Sequence, residues 1–195
     1  TLVLPIVWIG IAFFLAYAGL ESSASNWSYK LFTTSRAVAE DTAGFWVSVY
    51  GASFTVGRIL FGFIVNRFNS ISLVRFCLAG VIVGAILFWW NPTTTMGFIG
   101  LLIYGFMLAP VFALVITQTQ ERLGPLHGPN AIGFQVAAAS FGFGILPGLA
   151  GIIANQNGLE IIPPYLLVMC IVMMILFEVW LRQKDKRQDP IVLPE

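Results

Sequence analysis

Charge is scarce in this chain. Of its 195 residues only 10% are Asp, Glu, Lys or Arg, whereas 58% are hydrophobic, and the mean hydropathy is +0.87. A soluble domain carries about 25% charged residues, so the composition excludes one and points to an all-α integral membrane protein in a lipid bilayer. The formal net charge of +1 leaves no basic stripe to neutralise phosphates, which excludes a nucleic-acid partner. Histidine occurs once, as His127, and the two cysteines, Cys77 and Cys170, fall inside apolar runs. They imply neither a disulfide framework nor a metal set. With no nucleophile–base pair or phosphate loop either, the expectation is no cofactor, no catalytic residue and no enzyme. No basic segment precedes an apolar core with a small-residue cleavage site, so no signal peptide is expected. The chain opens at Thr1 directly on an apolar run, and we expect it to begin partway through a longer protein.

Long hydrophobic runs are abundant. A helix needs about 20 apolar residues to cross the hydrocarbon core, and six segments qualify: 2–32, 44–67, 72–90, 96–120, 130–155 and 161–181. Short connections, among them 121–129, join them into one bundle over 1–182, followed by a polar tail over 183–195. Six spans put both ends of the chain on one side. That side collects Arg67, Arg75, Arg122, Arg182, Lys184, Lys186 and Arg187, and the other only Lys30 and Arg36. The excess of positive charge places both termini in the cytoplasm, with the bundle in the cell (inner) membrane. Gly80 and Gly84 in the third segment have the four-residue spacing that lets helices approach closely.

Against this apolar background, Arg58 sits well inside the second segment. An Arg near mid-span costs about 2.5–3.5 kcal/mol on insertion scales and normally faces a bundle interior or a wet cavity. Glu21 stands in the first segment, where apolar sequence gives way to Ser22, Ser23, Asn26, Trp27 and Tyr29. It is either a pathway residue, as a proton-binding carboxylate or a hydrogen-bond acceptor for a polar solute, or an ordinary polar residue near a wet vestibule. At about 1.5 Å per residue Arg58 lies roughly 13 Å, and Glu21 roughly 27 Å, from the end of the bundle that holds the termini. Those depths disfavour a direct Glu21–Arg58 salt bridge. They leave Arg58 to bond helix-end carbonyls or an acid outside this chain. Glu178, one turn before Arg182, is expected to snorkel or to pair with it, with no functional role.

Shifting the chain by 87 residues aligns it with itself without gaps: Gly10 meets Gly97, Tyr17 meets Tyr104, and Ala52-Ser53-Phe54 with Gly57 meets Ala139-Ser140-Phe141 with Gly144. An odd number of spans per unit makes the two units opposite in orientation, which is an inverted 3+3 repeat. Arg58 falls opposite Ile145 and Glu21 opposite Leu108, so neither charge is repeated.

Gly57-Arg58, then Gly62-Phe-Ile-Val-Asn66-Arg67-Phe-Asn69, resembles the cytoplasmic-loop signature of the major facilitator superfamily, Gly-x-x-x-Asp-Arg-x-Gly-Arg/Lys. The sequence departs from it at Asn66, where the acid stands, and at Asn69, where an Asn able to take a left-handed backbone replaces Gly. Tyr17-Ala-Gly-Leu-Glu21 with Asn26-Trp27 resembles the seventh helix of that superfamily. Tyr104-Gly-Phe-Met-Leu-Ala-Pro110 resembles the tenth. Asn130-Ala-Ile-Gly-Phe-Gln135 with Pro147-Gly-Leu-Ala-Gly resembles the eleventh. Together these are similar to the fucose-permease-like branch of sugar and solute symporters.

The resemblance implies the C-terminal six-helix half of a twelve-helix alternating-access transporter. Its expected activity is proton-coupled transport of a small polar solute such as a sugar. Its partner would be an N-terminal half, on the same polypeptide or a separate chain. Glu21, Tyr17, Asn26, Trp27, Gln135 and Tyr50 are then the candidate pathway residues, and Arg58, Asn66 and Arg67 the candidate gating or inter-half contacts. A non-transporting scaffold subunit of a larger membrane complex is the alternative.

Overall fold

Where lipid offers no hydrogen-bond partner, a spanning backbone satisfies its polar groups within itself, and these apolar runs accordingly fold as helices. A computed structural model describes residues 1–183 and all their side chains except that of Asn66. Most of the expected tail therefore lies outside the described residues. The elements are α1 (Pro5–Lys30), α2 (Glu40–Ile64), α3 (Ser70–Trp90), α4 (Thr94–Leu108), α5 (Val111–Asn157) and α6 (Ile162–Leu181). A π turn, Leu31–Ser35, extends α1, and 3-10 turns occupy Val65–Arg67 and Leu159–Ile161. Among the described residues 5 helical stretches are long and apolar enough to cross a membrane.

The longest of these, Thr94–Asn157, has 64 residues. As one straight rod it would measure about 96 Å, three times the hydrocarbon thickness. It breaks twice. Pro110 has no N–H to give, so the Phe106 carbonyl loses its helical partner between α4 and α5. At Gly124 the backbone turns to φ 65° and ψ −172°, a conformation that only glycine adopts cheaply. Pro125 follows and restarts the helix, since its missing N–H is no loss in a first turn. The chain folds back there: Gln135 Nε2 donates to Thr119 Oγ1 at 3.1 Å across 16 residues, a separation of about 24 Å in an unbroken helix. The expected connection 121–129 is thus helical on both sides of one glycine hinge.

Asn69 corrects a second expectation. Its backbone is extended (φ −64°, ψ 121°), not left-handed, and its side chain caps α3 by accepting from Ile71 N at 3.0 Å and Ser72 N at 3.2 Å. An Asn at this position stabilises the helix start as a cap, the role for which the residue is favoured.

Helix α1 packs on α5 and α6, and α4 packs on α2 and α3, with α3 also against α6. Close crossings rest on small residues. At the α3–α4 crossing a Cβ on Gly84 would lie 2.5 Å from Tyr104 N, and one on Gly100 2.5 Å from Phe88 N. Gly57 brings α2 onto the carbonyl that Pro110 frees, its would-be Cβ 2.6 Å from Phe106 O.

Arginines clasp both ends of the bundle. At one end the buried Arg36 side chain is bidentate to Glu160 (3.0 and 3.0 Å), donates to Phe88 O at 3.1 Å and lies over the Phe32 and Phe88 rings. At the other, Arg122 donates to Trp180 O at 2.8 Å and Gln183 O at 2.6 Å while stacking on Trp180. Each guanidinium thus bonds carbonyls at the C-terminal end of a helix, where cations are favoured. Glu178 does not pair with Arg182 as its spacing suggests. It takes Arg75 of α3 in a bidentate bridge of 2.6 and 2.8 Å, because α3–α6 packing brings a preformed fork within reach.

Two predictions follow from the packing. Gly84→Leu should force α3 from α4 and destabilise by about 1–3 kcal/mol, whereas Gly133→Ala, with open space around it, should be neutral or slightly stabilising. Glu160→Ala, which strands the buried Arg36 guanidinium, should cost about 1–3 kcal/mol, against less than about 1 kcal/mol for Glu178→Ala at a half-exposed bridge. Thermal unfolding in detergent, followed by circular dichroism, ranks the four variants.

Candidate functional site

Two cavities open on the side of the bundle formed by α1, α2, α5 and the Ala109–Pro110 break that precedes α5. The first, about 500 Å³, has an apolar wall that includes Phe61, Val65, Pro110, Phe112 and Phe143. The second, about 350 Å³, has a polar one with Ser22, Ser25, Asn26, Tyr50 and Thr55. Three residues line both: Glu21, Arg58 and Phe143. Among the described residues Glu21 and Arg58 are the charged groups that line either cavity.

These two form an ion pair, Arg58 Nη2 to Glu21 Oε1, at 3.6 Å. The depth estimate above is overturned, and the reason lies in side-chain direction. In a helix every Cα–Cβ bond leans toward the N-terminus. Helices α1 and α2 run antiparallel, so Glu21 leans toward the end that holds the termini and Arg58 leans away from it. Two long side chains reaching toward each other along the bundle axis close a gap that Cα positions leave open.

The pair is held loosely. It has a single contact, and the Arg58 side chain is 56% exposed against 22% for Glu21. The guanidinium also sits 5.7 Å over the Phe54 ring. Tyr50 Oη donates to Glu21 O at 3.5 Å, joining α2 to α1 one step further along. Tyr17, one turn before Glu21, is buried and lines the first cavity together with Glu21 and Arg58. Its ring packs 5.5 Å from that of Phe112.

The structure thus brings Glu21, Tyr17, Tyr50, Asn26 and Arg58 to the cavities and leaves Trp27 and Gln135 away from them. Trp27 is a strut: Nε1 donates to Pro147 O at 3.0 Å, and the ring lies against Gly151. Gln135 is fully buried, donating to Thr119 and packed against Gly10 of α1. Depth along the helix was compatible with the cavity; the face on which Gln135 sits is covered by α1. Arg67 is exposed in the turn after α2, and the Asn66 side chain lies outside the described residues. Sequence reasoning passed over Phe54, Phe112, Thr117 and Phe143. Aromatic residues in such runs look the same whether they face lipid or a cavity. Pro110 gave a usable signal, since a proline inside a span marks backbone that needs another partner. Among the described residues no group of three or more His, Cys, Asp or Glu is placed to hold a metal ion.

Comparison with known proteins bears on the whole chain. A profile of the Major Facilitator Superfamily matches residues 9–193. The chain is 27% identical over 194 residues to the MFS-type transporter YhhS of Salmonella typhimurium (strain LT2), covering 99% of this chain and 46% of the relative. It is 26% identical over 192 residues to Bypass of stop codon protein 6 of Saccharomyces cerevisiae, covering 89% of this chain and 36% of that one. The chain spans about half the length, or less, of these relatives. With apolar helices of crossing length and a family match over nearly its full extent, this integral membrane protein belongs to the Major Facilitator Superfamily.

Proposed function

We propose that the chain is the C-terminal half of a secondary active transporter that works by alternating access and couples solute movement to protons. The observation that carries the proposal is the Glu21–Arg58 pair standing where two cavities meet. Ionisable residues inside membrane spans are costly, and those that face a cavity mark solute and proton pathways. Here the acid can take a proton, and the base is the partner that would sense it.

In this reading the stretch Thr94–Asn157 supplies two crossings, α4 with the first arm of α5 before Gly124 and the second arm of α5 after it, which brings the total from 5 to six. The units α1–α3 and α4–α6 form an inverted repeat. Support comes from packing, with α1 on α5 and α6 and α4 on α2 and α3. Further support comes from Arg36 and Arg122, 86 positions apart, each bonding carbonyls at the end of the third helix of its own unit. An N-terminal half faces the cavities across α2 and the second arm of α5, whose outward residues include Val56, Phe141, Ile145 and Leu149. Both termini lie in the cytoplasm at the inner membrane, and Arg58 with Arg67 lies along the contact between halves. Sugar sites favour amide, indole and phenol groups, and of Asn26, Trp27 and Tyr29 the first lines one of these two cavities and the others neither, so the support shifts from a sugar toward a solute with an apolar part.

In proteoliposomes holding the full-length protein, a panel of radiolabelled hexoses and small organic acids should include one accumulated under an inward proton gradient. Glu21→Gln should lower that accumulation at least about tenfold yet spare solute exchange at equal pH, because exchange needs no net proton transfer. Unchanged gradient-driven uptake in Glu21→Gln would sink the proton assignment.

A further inference from the structure

Resting on the transporter reading, we infer that the solute is a small amphipathic monocarboxylate. Its anionic head takes Arg58, its apolar body lies in the larger cavity, and protonation of Glu21 is what frees Arg58 to receive it.

Three observations converge on this assignment. The first is the geometry of the pair. Arg36 and Arg75 each grip their acid with two hydrogen bonds, at 3.0 and 3.0 Å and at 2.6 and 2.8 Å. Arg58 touches Glu21 once, at 3.6 Å. A guanidinium carries five N–H donors in a fork that matches a carboxylate, and most of the Arg58 fork is unused. The second is which partner faces the open space. Arg58 is the more exposed of the two, 56% against 22%, so the charge offered to the cavities is positive and suits an anion. The third is the wall. On the side of Phe61, Val65, Pro110, Phe112 and Phe143 the cavity is apolar and measures about 500 Å³, within the size range of sites for small organic ligands. A sugar would leave most of its hydroxyls unpaired there, at a cost for each. A short hydrocarbon or aromatic body would gain by burial.

Coupling follows from competition for one cation. The groups facing Glu21 are Tyr17 on its own helix and Arg58 and Tyr50 on α2. The cavity residues of α5 and of the break before it, among them Pro110, Phe112, Thr117 and Phe143, carry no titratable group. Ionised Glu21 occupies Arg58 and repels an incoming carboxylate. When a solvent proton adds to the Glu21 carboxylate, the pair is neutralised on one side only, and Arg58 keeps its charge for the solute. One proton and one monoanion then load together, with no net charge moved into the site. Neither binds well without the other.

The test is ligand-induced thermal stabilisation of the full-length protein in detergent. The probes are 3-phenylpropionate, its neutral analogue 3-phenylpropanol, its cationic analogue 3-phenylpropylammonium, glucose and hexadecanoate. The carboxylate should bind at least about tenfold tighter at about pH 6 than at about pH 8, ionised at both, because only the competent fraction of sites binds it. Glu21→Gln should bind it at about pH 8 as tightly as the wild type does at about pH 6, a gain of affinity that misfolding does not imitate. Arg58→Gln should lose about tenfold or more at both values, and Arg58→Lys should recover part of it. Equal binding of the alcohol, the ammonium or glucose would overturn the assignment, as would a pH dependence that survives in Glu21→Gln. A response to hexadecanoate alone assigns the anion to the lipid phase and overturns a small solute. If the binding rules hold while no solute moves protons in proteoliposomes, the transporter reading fails and the anion site stands.

Discussion

An arginine cannot be left bare in an apolar helix, and much of this structure follows from where Arg58 finds its counter-charge. Insertion of such a residue costs about 2.5–3.5 kcal/mol at mid-span. The cost is offset by Glu21 at 3.6 Å, by the face of Phe54 and by two cavities that keep the guanidinium half exposed. None of these is local in sequence except Phe54. Glu21 comes from α1, and the cavities need α5 and the Pro110 break before it as well. Antiparallel α1 and α2, with side chains leaning toward opposite ends, are what make the contact geometrically possible.

The remaining helices hold that arrangement by two devices. One is close approach of backbones at small residues, as at Gly84 against Tyr104 and Gly57 against Phe106; in lipid, where burial of apolar surface gives no advantage between helices, such contact is a main source of cohesion. The other is a buried or stacked arginine at each end of the bundle, Arg36 and Arg122, bonding carbonyls that a helix terminus leaves unmatched. The same residue type thus plays two opposed parts. Where its donors are filled it fastens helix ends. Where they are largely unfilled, as at Arg58, it offers a charge to whatever enters the cavity.

Proline breaks connect the two parts. Pro110 frees the Phe106 carbonyl that Gly57 approaches, and it also lines the larger cavity. Around Pro147, Trp27 donates to Pro147 O and Tyr165 to Leu146 O. The backbone stays helical there, so Trp27, which read as a solute ligand, instead ties α1 to the second arm of α5.

Composition and run length were enough to determine helices of crossing length in a bilayer, because an apolar segment has no other way to satisfy its backbone there. The sequence also singled out Glu21 and Arg58 one at a time, since a charge in such a segment is conspicuous whatever surrounds it. It did not bring them together: counting residues measures depth at Cα, while the contact depends on which way two side chains lean from antiparallel helices. For the same reason Gln135 looked like a cavity residue and is buried under α1, and Glu178 looked like the partner of Arg182 and bridges to Arg75 instead. Phe112 and Phe143 carried no signal at all, because an aromatic ring suits lipid, core and cavity alike. Which face of a helix is covered, and by what, is a property of the packed bundle. That packing alone turned two isolated charges into one pair at the meeting of two cavities.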